Sequence, residues 1–259
     1  MDFVCKSLKT AIDSLSTWFH IESAVLVKML HHNYFQKFES SGASREVPFS
    51  TYLCQQMPLK PDLAESLPRV HWFHGTRCID PKDLEKGLLP LNSIMPTLQK
   101  SLDDIAREHV IPRTKMTTDH GNHSAFLINT KLKSQSDLGP CAMLNYEALI
   151  SPSAFDCYPY TGMPEFVEDY ANLWYGDHAN EVLDHYRNAS KPAIVEFWSI
   201  PNDPVNPQMD HIVEVVLMYA YAKIHPKQEL LGSMCNTCYS GYGIPVLPKM
   251  IVSVTLLEK

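Results

Sequence analysis

The segment of residues 70–77, with the sequence VHWFHGTR, constrains the fold most. Its apolar side chains predict a β-strand, and the strand leads to the imidazole of His74, the bare backbone of Gly75 and the hydroxyl of Thr76. A glycine allows a ligand to approach the main chain closely. Residues 80–87 supply a capping aspartate, an early proline and a final glycine, which predict a short helix. We therefore expect a ligand site at a strand-to-helix corner.

The spacing of apolar residues in the rest of the chain predicts mainly helices first and mainly strands later. Helical spacing occurs within residues 3–38, 93–109 and 164–186, and extended segments are predicted at 70–73, 123–129, 141–150, 193–200, 212–219 and 250–257. This distribution is typical of an α+β fold rather than a βαβ repeat. We expect two helices before a polar break at 39–44, an N-terminal helical appendage over residues 1–60, and a catalytic domain over residues 61–259.

Charge, cysteine content and the length of apolar runs narrow the class of protein. The formal charge is −7, from 22 basic and 29 acidic residues without a basic run, which argues against nucleic acid as a partner. Seven scattered cysteines suit a reducing compartment. The run at 212–222 is too short for a membrane span, and the first residues do not predict a secretory signal. We expect a soluble protein of the cytoplasm, or a leaderless secreted effector that acts in a host cytoplasm.

The strand, the triplet His74-Gly75-Thr76 and the short helix leading to Gly87 and Pro90 resemble the first signature of the ADP-ribosyltransferase superfamily, in its histidine-bearing, PARP-like branch. The resemblance covers the first strand and helix of that fold. It implies a mixed split β-sheet core, NAD as the substrate, and a cofactor-binding role for the triplet. In such a site His74 holds a ribose hydroxyl, the Gly75 backbone pairs with the nicotinamide carboxamide, and a glutamate on a later strand completes catalysis.

Three glutamates are candidates for that catalytic carboxylate. Alternation along residues 193–200 places Glu196 on an apolar face, where an ionised carboxylate is costly unless it is paired or functional. Glu214 repeats the pattern within residues 212–219. Glu165 is also typical of a carboxylate in the first turn of a helix. We prefer Glu196, because it follows a helix and precedes the C-terminal strands as the resemblance implies, and the other two stay open.

The remaining parts of an NAD site are an aromatic ring for the nicotinamide and a cation for the pyrophosphate. Where the family places a tyrosine on the strand after the histidine, the matching segment here offers Phe126, and Tyr158 is the alternative from a loop. Arg77 suits a pyrophosphate, because a planar guanidinium matches phosphate oxygens. Its alternative role is a surface ion pair with Asp80 or Asp83.

These residues predict a mono-ADP-ribosyltransferase that cleaves NAD at the nicotinamide bond and passes ADP-ribose to a macromolecule, a protein in preference to nucleic acid. His74 and Glu196 are its predicted catalytic residues. One alternative is a catalytically inactive module that binds NAD or ADP-ribose. Others are an enzyme of the same fold that resembles the RNA 2'-phosphotransferases, and a cysteine hydrolase centred on Cys141.

The CxxC spacing of Cys235 and Cys238 is that of half a zinc site. No second pair lies nearby in the sequence. Cys141, Cys157 or His225 would have to be recruited from a distance. We therefore predict no metal.

Overall fold

The computed structural model describes residues 1–43, 46–57, 67–116, 119–201 and 207–258, except for the side chains of residues 119–122. Its fold is α+β with helices at the N-terminal end, which confirms the predicted class.

Within the described ranges, six strands form one sheet. They are β1 (Asp2–Phe3), β2 (Arg69–Cys78), β3 (Cys141–Met143), β4 (Lys191–Ser199), β5 (Cys238–Ser240) and β6 (Ile251–Leu256). The strand order is β5-β3-β2-β4-β6, and β1 pairs in parallel with β2. β3 runs antiparallel to β2, and β6 runs antiparallel to β4. The strand that carries the His-Gly-Thr triplet is therefore the middle one.

The helices begin close to the N-terminus. They are α1 (Leu8–Trp18), α2 (Ser23–Leu30), α3 (Tyr34–Ser41), α4 (Phe49–Gln56), α5 (Lys82–Glu85), α6 (Leu91–Glu108), α7 (Asp119–Lys133), α8 (Glu147–Ile150), α9 (Glu165–Tyr175), α10 (Ala179–Ala189) and α11 (Met209–Ile224). A capping box between Ser7 and Thr10 starts α1. Residues 1–43 form three helices instead of the predicted two, because short breaks at 19–22 and 31–33 divide the segment. The third helix, α3, also continues into the predicted break at 39–44.

The chain divides into two compact units. The first contains Met1–Phe73, Met143–Tyr158 and Trp198–Tyr239, and the second contains His74–Ala142, Pro159–Phe197 and Ser240–Lys259. In the first unit α1, α2 and α4 pack against α11. The second unit has a core between α6, α7, α9 and α10. The first unit thus joins the N-terminal helices to later segments, and the predicted boundary at residue 60 lies outside the described residues.

Two predicted strands were wrong, because both segments are helices. Residues 212–219 belong to α11, in which residues 215–222 are all buried. A helix buried on every side shows no apolar period, so its sequence resembles a buried strand. Residues 123–129 belong to α7, where Ser124 and Ile128 are buried at helical spacing and Phe126 is exposed. Residues 141–150 are extended only in β3 and then form α8.

The strand-to-helix corner was also wrong in its position. β2 continues through the triplet to Cys78, so His74, Gly75 and Thr76 lie inside the strand. The register of β2 with β3, in which Phe73 is opposite Met143, places the first residue of β3, Cys141, opposite Gly75. The short helix is confirmed as α5, which begins after Pro81, and the Asp80 carboxylate accepts a 3.0 Å hydrogen bond from the Lys82 N–H.

Candidate functional site

His74 is half-buried in β2, and one of its ring nitrogens is fixed by the main chain. Nδ1 lies 2.6 Å from the carbonyl oxygen of Cys141. Because a carbonyl only accepts hydrogen bonds, Nδ1 carries the hydrogen and donates it. Burial lowers the pKa of His74 below its ordinary value, so the ring is neutral near pH 7. Nε2 is then an unprotonated acceptor.

The partner of His74 sits in a turn built from glycines. The Gly241 N–H donates to the Pro140 carbonyl over 3.1 Å, and the Gly243 N–H donates to the Gly139 carbonyl over 3.0 Å. A Cβ on Gly241 would lie 2.7 Å from the backbone of Gly139, so a side chain does not fit there. Sequence analysis missed this turn as part of the His74 environment. The sequence signal for this turn was its glycines, since a glycine takes part in each of the two hydrogen bonds.

Gly75 and Thr76 follow His74 on the same strand. Gly75 is buried, and Thr76 is half-buried with its hydroxyl 3.5 Å from the carbonyl oxygen of Arg77. The pair therefore presents a main chain without a side chain at one position and a hydroxyl at the next. This is the arrangement that the sequence predicted for these two residues, now placed within a strand.

Arg77 is buried, and all five of its N–H groups have protein acceptors. Nε donates to the Ser190 hydroxyl over 2.9 Å. Nη1 donates to the carbonyls of Thr161 and Gly162, each over 3.3 Å. Nη2 donates to the carbonyls of Arg187 and Ser190 over 2.8 and 2.9 Å. A pyrophosphate would have to displace one of these bonds, and the alternative of a surface ion pair was wrong because the group is buried.

Glu196 is buried in β4, as its apolar face predicted. The Ser253 hydroxyl of β6 donates to its Oε2 over 3.1 Å, and the two residues are paired in the strand register. The predicted strand is confirmed, but the alternation of buried and exposed residues was wrong, because residues 192–197 are all buried. A structural partner for the carboxylate is therefore present on the neighbouring strand.

Contacts within the second unit show which face of the sheet each of these side chains takes. Residues in contact across neighbouring strands share a face, and successive residues of one strand alternate between faces. Arg77 contacts Ser190, which enters β4 with extended angles of φ −112° and ψ 161°. Glu196 lies six residues after Ser190, an even number, so it is on the same face as Ser190 and therefore as Arg77. His74 lies an odd number of residues before Arg77, so it takes the opposite face.

Two contacts in the first unit give the same parity. The Arg69 guanidinium lies 4.6 Å from the ring centre of Trp198. The Trp72 indole N–H donates to the Ser199 hydroxyl over 2.9 Å. Both contacts therefore imply that even-numbered residues of β2 share a face with odd-numbered residues of β4. The register shift near Glu196 places its extra residue on β6, so the alternation along β4 is not interrupted. The structure does not bring His74 and Glu196 together on one face.

The other two candidate carboxylates lie on helices. Glu214 was predicted on a strand but belongs to α11, where its Oε1 accepts a 2.7 Å hydrogen bond from the Thr51 hydroxyl. Glu165 is the first residue of α9 and forms a 2.9 Å ion pair with Lys131. The helix-terminal role of Glu165 is confirmed, and the strand position of Glu214 was wrong.

Neither aromatic candidate lies on a strand next to His74. The ring of Phe126 is on α7, and the residue is 63% exposed. Tyr158 lies in the loop before α9 and is half-buried. The prediction of a strand-borne ring at Phe126 was therefore wrong. Tyr158 stays a prediction.

The CxxC cysteines differ in their environments. Burial raises the pKa of Cys235 to about 11, and its Sγ lies 3.5 Å from the Leu230 carbonyl oxygen, whereas Cys238 is exposed. Over the described ranges, no group of three or more histidines, cysteines or acidic residues is arranged to hold a metal ion.

No protein-family model, curated protein or solved structure matches this chain. Among the helices that the structure describes, none combines the length and the apolar character needed to cross a bilayer.

Proposed function

We propose that this chain is a binding module for NAD or ADP-ribose, with its ligand site at His74, Gly75 and Thr76. The observation that carries the proposal is the neutral imidazole of His74, whose Nδ1 is held by the Cys141 carbonyl. This leaves Nε2 as an acceptor suited to a ribose hydroxyl. The neighbouring Gly75 allows the carboxamide of a nicotinamide to approach the main chain.

The proposal includes the finer fold, an ADP-ribosyltransferase-like split sheet. Its support is the order of β2, α5 and Gly87, which matches the signature that the sequence resembles. Gly87 ends this segment at φ +105°, a conformation that favours glycine, and a Cβ there would lie 2.4 Å from the Val246 carbonyl oxygen.

A transferase with a protein acceptor is less well supported than a binding module. Cleavage of NAD at the nicotinamide bond needs a carboxylate that stabilises the positive charge developing on the ribose. Glu196 takes the face opposite to His74, Glu214 is bound by Thr51, and Glu165 is paired with Lys131. Each of the three candidate carboxylates therefore already has a protein partner, which favours a structural role for it over a catalytic one.

Calorimetric titration with NAD and with ADP-ribose tests the module, together with a chromatographic assay for released nicotinamide. We expect saturable binding without nicotinamide release. His74→Ala is expected to weaken binding about tenfold, the value of one lost hydrogen bond of roughly 1.4 kcal/mol. His123→Ala is the matched control, because this histidine is exposed on α7.

Two outcomes contradict the proposal in different ways. If neither ligand saturates the protein at millimolar concentration, the site itself is wrong. If nicotinamide is released and Glu196→Gln abolishes the release, the protein cleaves NAD and is not merely a binding module; labelled ADP-ribose bound to a protein would then identify a transferase. Equal weakening by His74→Ala and His123→Ala would place the ligand elsewhere.

A further inference from the structure

Three sulfur atoms from separate segments of the first unit are linked by contacts with the Asn236 amide and with one another. Met143 is on β3, Cys157 follows the turn after Phe155, and Cys238 is on β5. The Cys238 Sγ lies 3.5 Å from the Met143 Sδ. The Asn236 Nδ2 lies 3.0 Å from the same Sδ and 3.8 Å from the Cys157 Sγ. We call Met143, Cys157 and Cys238 the sulfur cluster.

The orientation of the Asn236 amide is fixed independently of the sulfurs. Its Oδ1 accepts a 3.0 Å hydrogen bond from the Asn145 main-chain N–H, so the other end of the amide, Nδ2, must face the cluster. Main-chain bonds hold the same region: the Leu144 N–H donates to the Thr237 carbonyl over 2.9 Å. The side chains of the cluster therefore project from a hydrogen-bonded frame.

From this geometry we propose that the sulfur cluster binds one soft monovalent metal ion of the Cu(I) class. Thiolate and thioether sulfurs are the ligands that select Cu(I) over harder cations. Binding replaces the protons of the two thiols by the metal, so two protons are released and the centre carries one negative charge. The N–H groups of Asn236 point at the sulfurs and stabilise that charge, because hydrogen bonds donated to metal-bound sulfur offset its negative charge.

The environment of each cysteine fits this assignment. Cys238 is exposed and gives the ion a route from solvent, whereas Cys157 is half-buried. The Cys157 thiol donates to the Phe155 carbonyl over 3.3 Å, and this bond is given up when the metal replaces the thiol proton. Cys235, the other member of the CxxC pair, is buried with its thiol directed to the Leu230 carbonyl. The two cysteines of the proposed metal site are therefore Cys238 and Cys157, which is distant in sequence, and not the CxxC pair of Cys235 and Cys238.

The test is an anaerobic titration of the reduced full chain with Cu(I) in competition with a chromophoric Cu(I) chelator. We expect one tightly held ion. Asn236→Asp keeps the acceptor for Asn145 but removes the donors to sulfur, and should weaken binding about 10- to 100-fold. Cys157→Ser and Cys238→Ser should each weaken it more, and Met143→Leu less. Cys54→Ser on α4 is the control and should change nothing.

A second measurement on the wild-type chain does not depend on the folding of variants. Bound Cu(I) should protect Cys157 and Cys238 from alkylation, mapped by mass spectrometry, and leave the exposed Cys141 reactive. The proposal is overturned if the chelator removes all Cu(I), or if both serine variants bind it as tightly as the wild type. Protection of Cys54 or Cys141 in place of the cluster would overturn it equally.

Discussion

The two faces of the β2–β4 strand pair treat polar side chains in opposite ways. On one face the guanidinium of Arg77 donates all its N–H groups to the protein, and Glu196 accepts a bond from Ser253. On the other face His74 uses Nδ1 for the Cys141 carbonyl, and Nε2 has no hydrogen-bond partner in the described part of the chain. The guanidinium of Arg77, whose donors are all used by the protein, is structural. A group with bonding capacity left is suited to a ligand.

Of the substitutions considered, Arg77→Met should lower the free energy of unfolding most. The substitution leaves the carbonyls at the end of α10 and near Thr161 without their donor, and burial prevents water from replacing it fully. We expect the free energy of unfolding to fall by about 3–5 kcal/mol in urea denaturation. Arg107→Met, which removes an exposed ion pair with Asp104, should cost less than about 1 kcal/mol. Equal losses in the two variants would show that Arg77 is not structural.

Glu196→Gln should have a smaller effect, and on stability alone. The amide oxygen can still accept from Ser253, so we expect a loss of about 1 kcal/mol, the difference between a charged and a neutral acceptor. Ser253→Ala removes the same bond and should cost about as much. Ligand affinity in the calorimetric assay should stay within about twofold of the wild type. A larger loss of affinity would place Glu196 at the ligand and contradict the separation of the two faces.

Secondary structure could be predicted from the sequence where one face of a helix or strand is exposed to solvent. The apolar stripe of α6 is confirmed, since this helix has a buried side and an exposed side. The strand β4 is confirmed too, but its period-two pattern was wrong, because residues 192–197 are all buried. α11 was predicted as a strand because helices cover it from several sides and its sequence has no polar face. In the sequence, Glu214 of α11 and Glu196 of β4 both lie within apolar runs and could not be told apart. In the structure, Glu214 accepts a hydrogen bond from Thr51 of α4, and Glu196 accepts one from Ser253 of β6.

The site was predictable only in its local part. The triplet His74-Gly75-Thr76 and the helix after it follow from adjacent residues. The partner of His74 is the carbonyl of Cys141, and the carbonyls that bind Arg77 lie near Thr161 and at the end of α10. Main-chain acceptors so distant along the chain have no side-chain signature. For this reason Arg77 resembled a phosphate ligand in the sequence.

The titration of His74 gives the smallest expected effect and tests the other face directly. Burial lowers the pKa of this imidazole in the folded chain, whereas the unfolded chain binds the proton near pH 6.5. Below that pH the unfolded state holds more protons than the folded state at this position, so stability falls as the pH falls. His74→Gln removes this contribution. The stability loss between pH 7.5 and 5.5, measured by urea denaturation, should therefore be smaller in the variant, because the other histidines are common to both chains. Parallel losses would show that the ring protonates as readily in the folded as in the unfolded protein, so that Nε2 would become a donor once the pH falls below about 6.5.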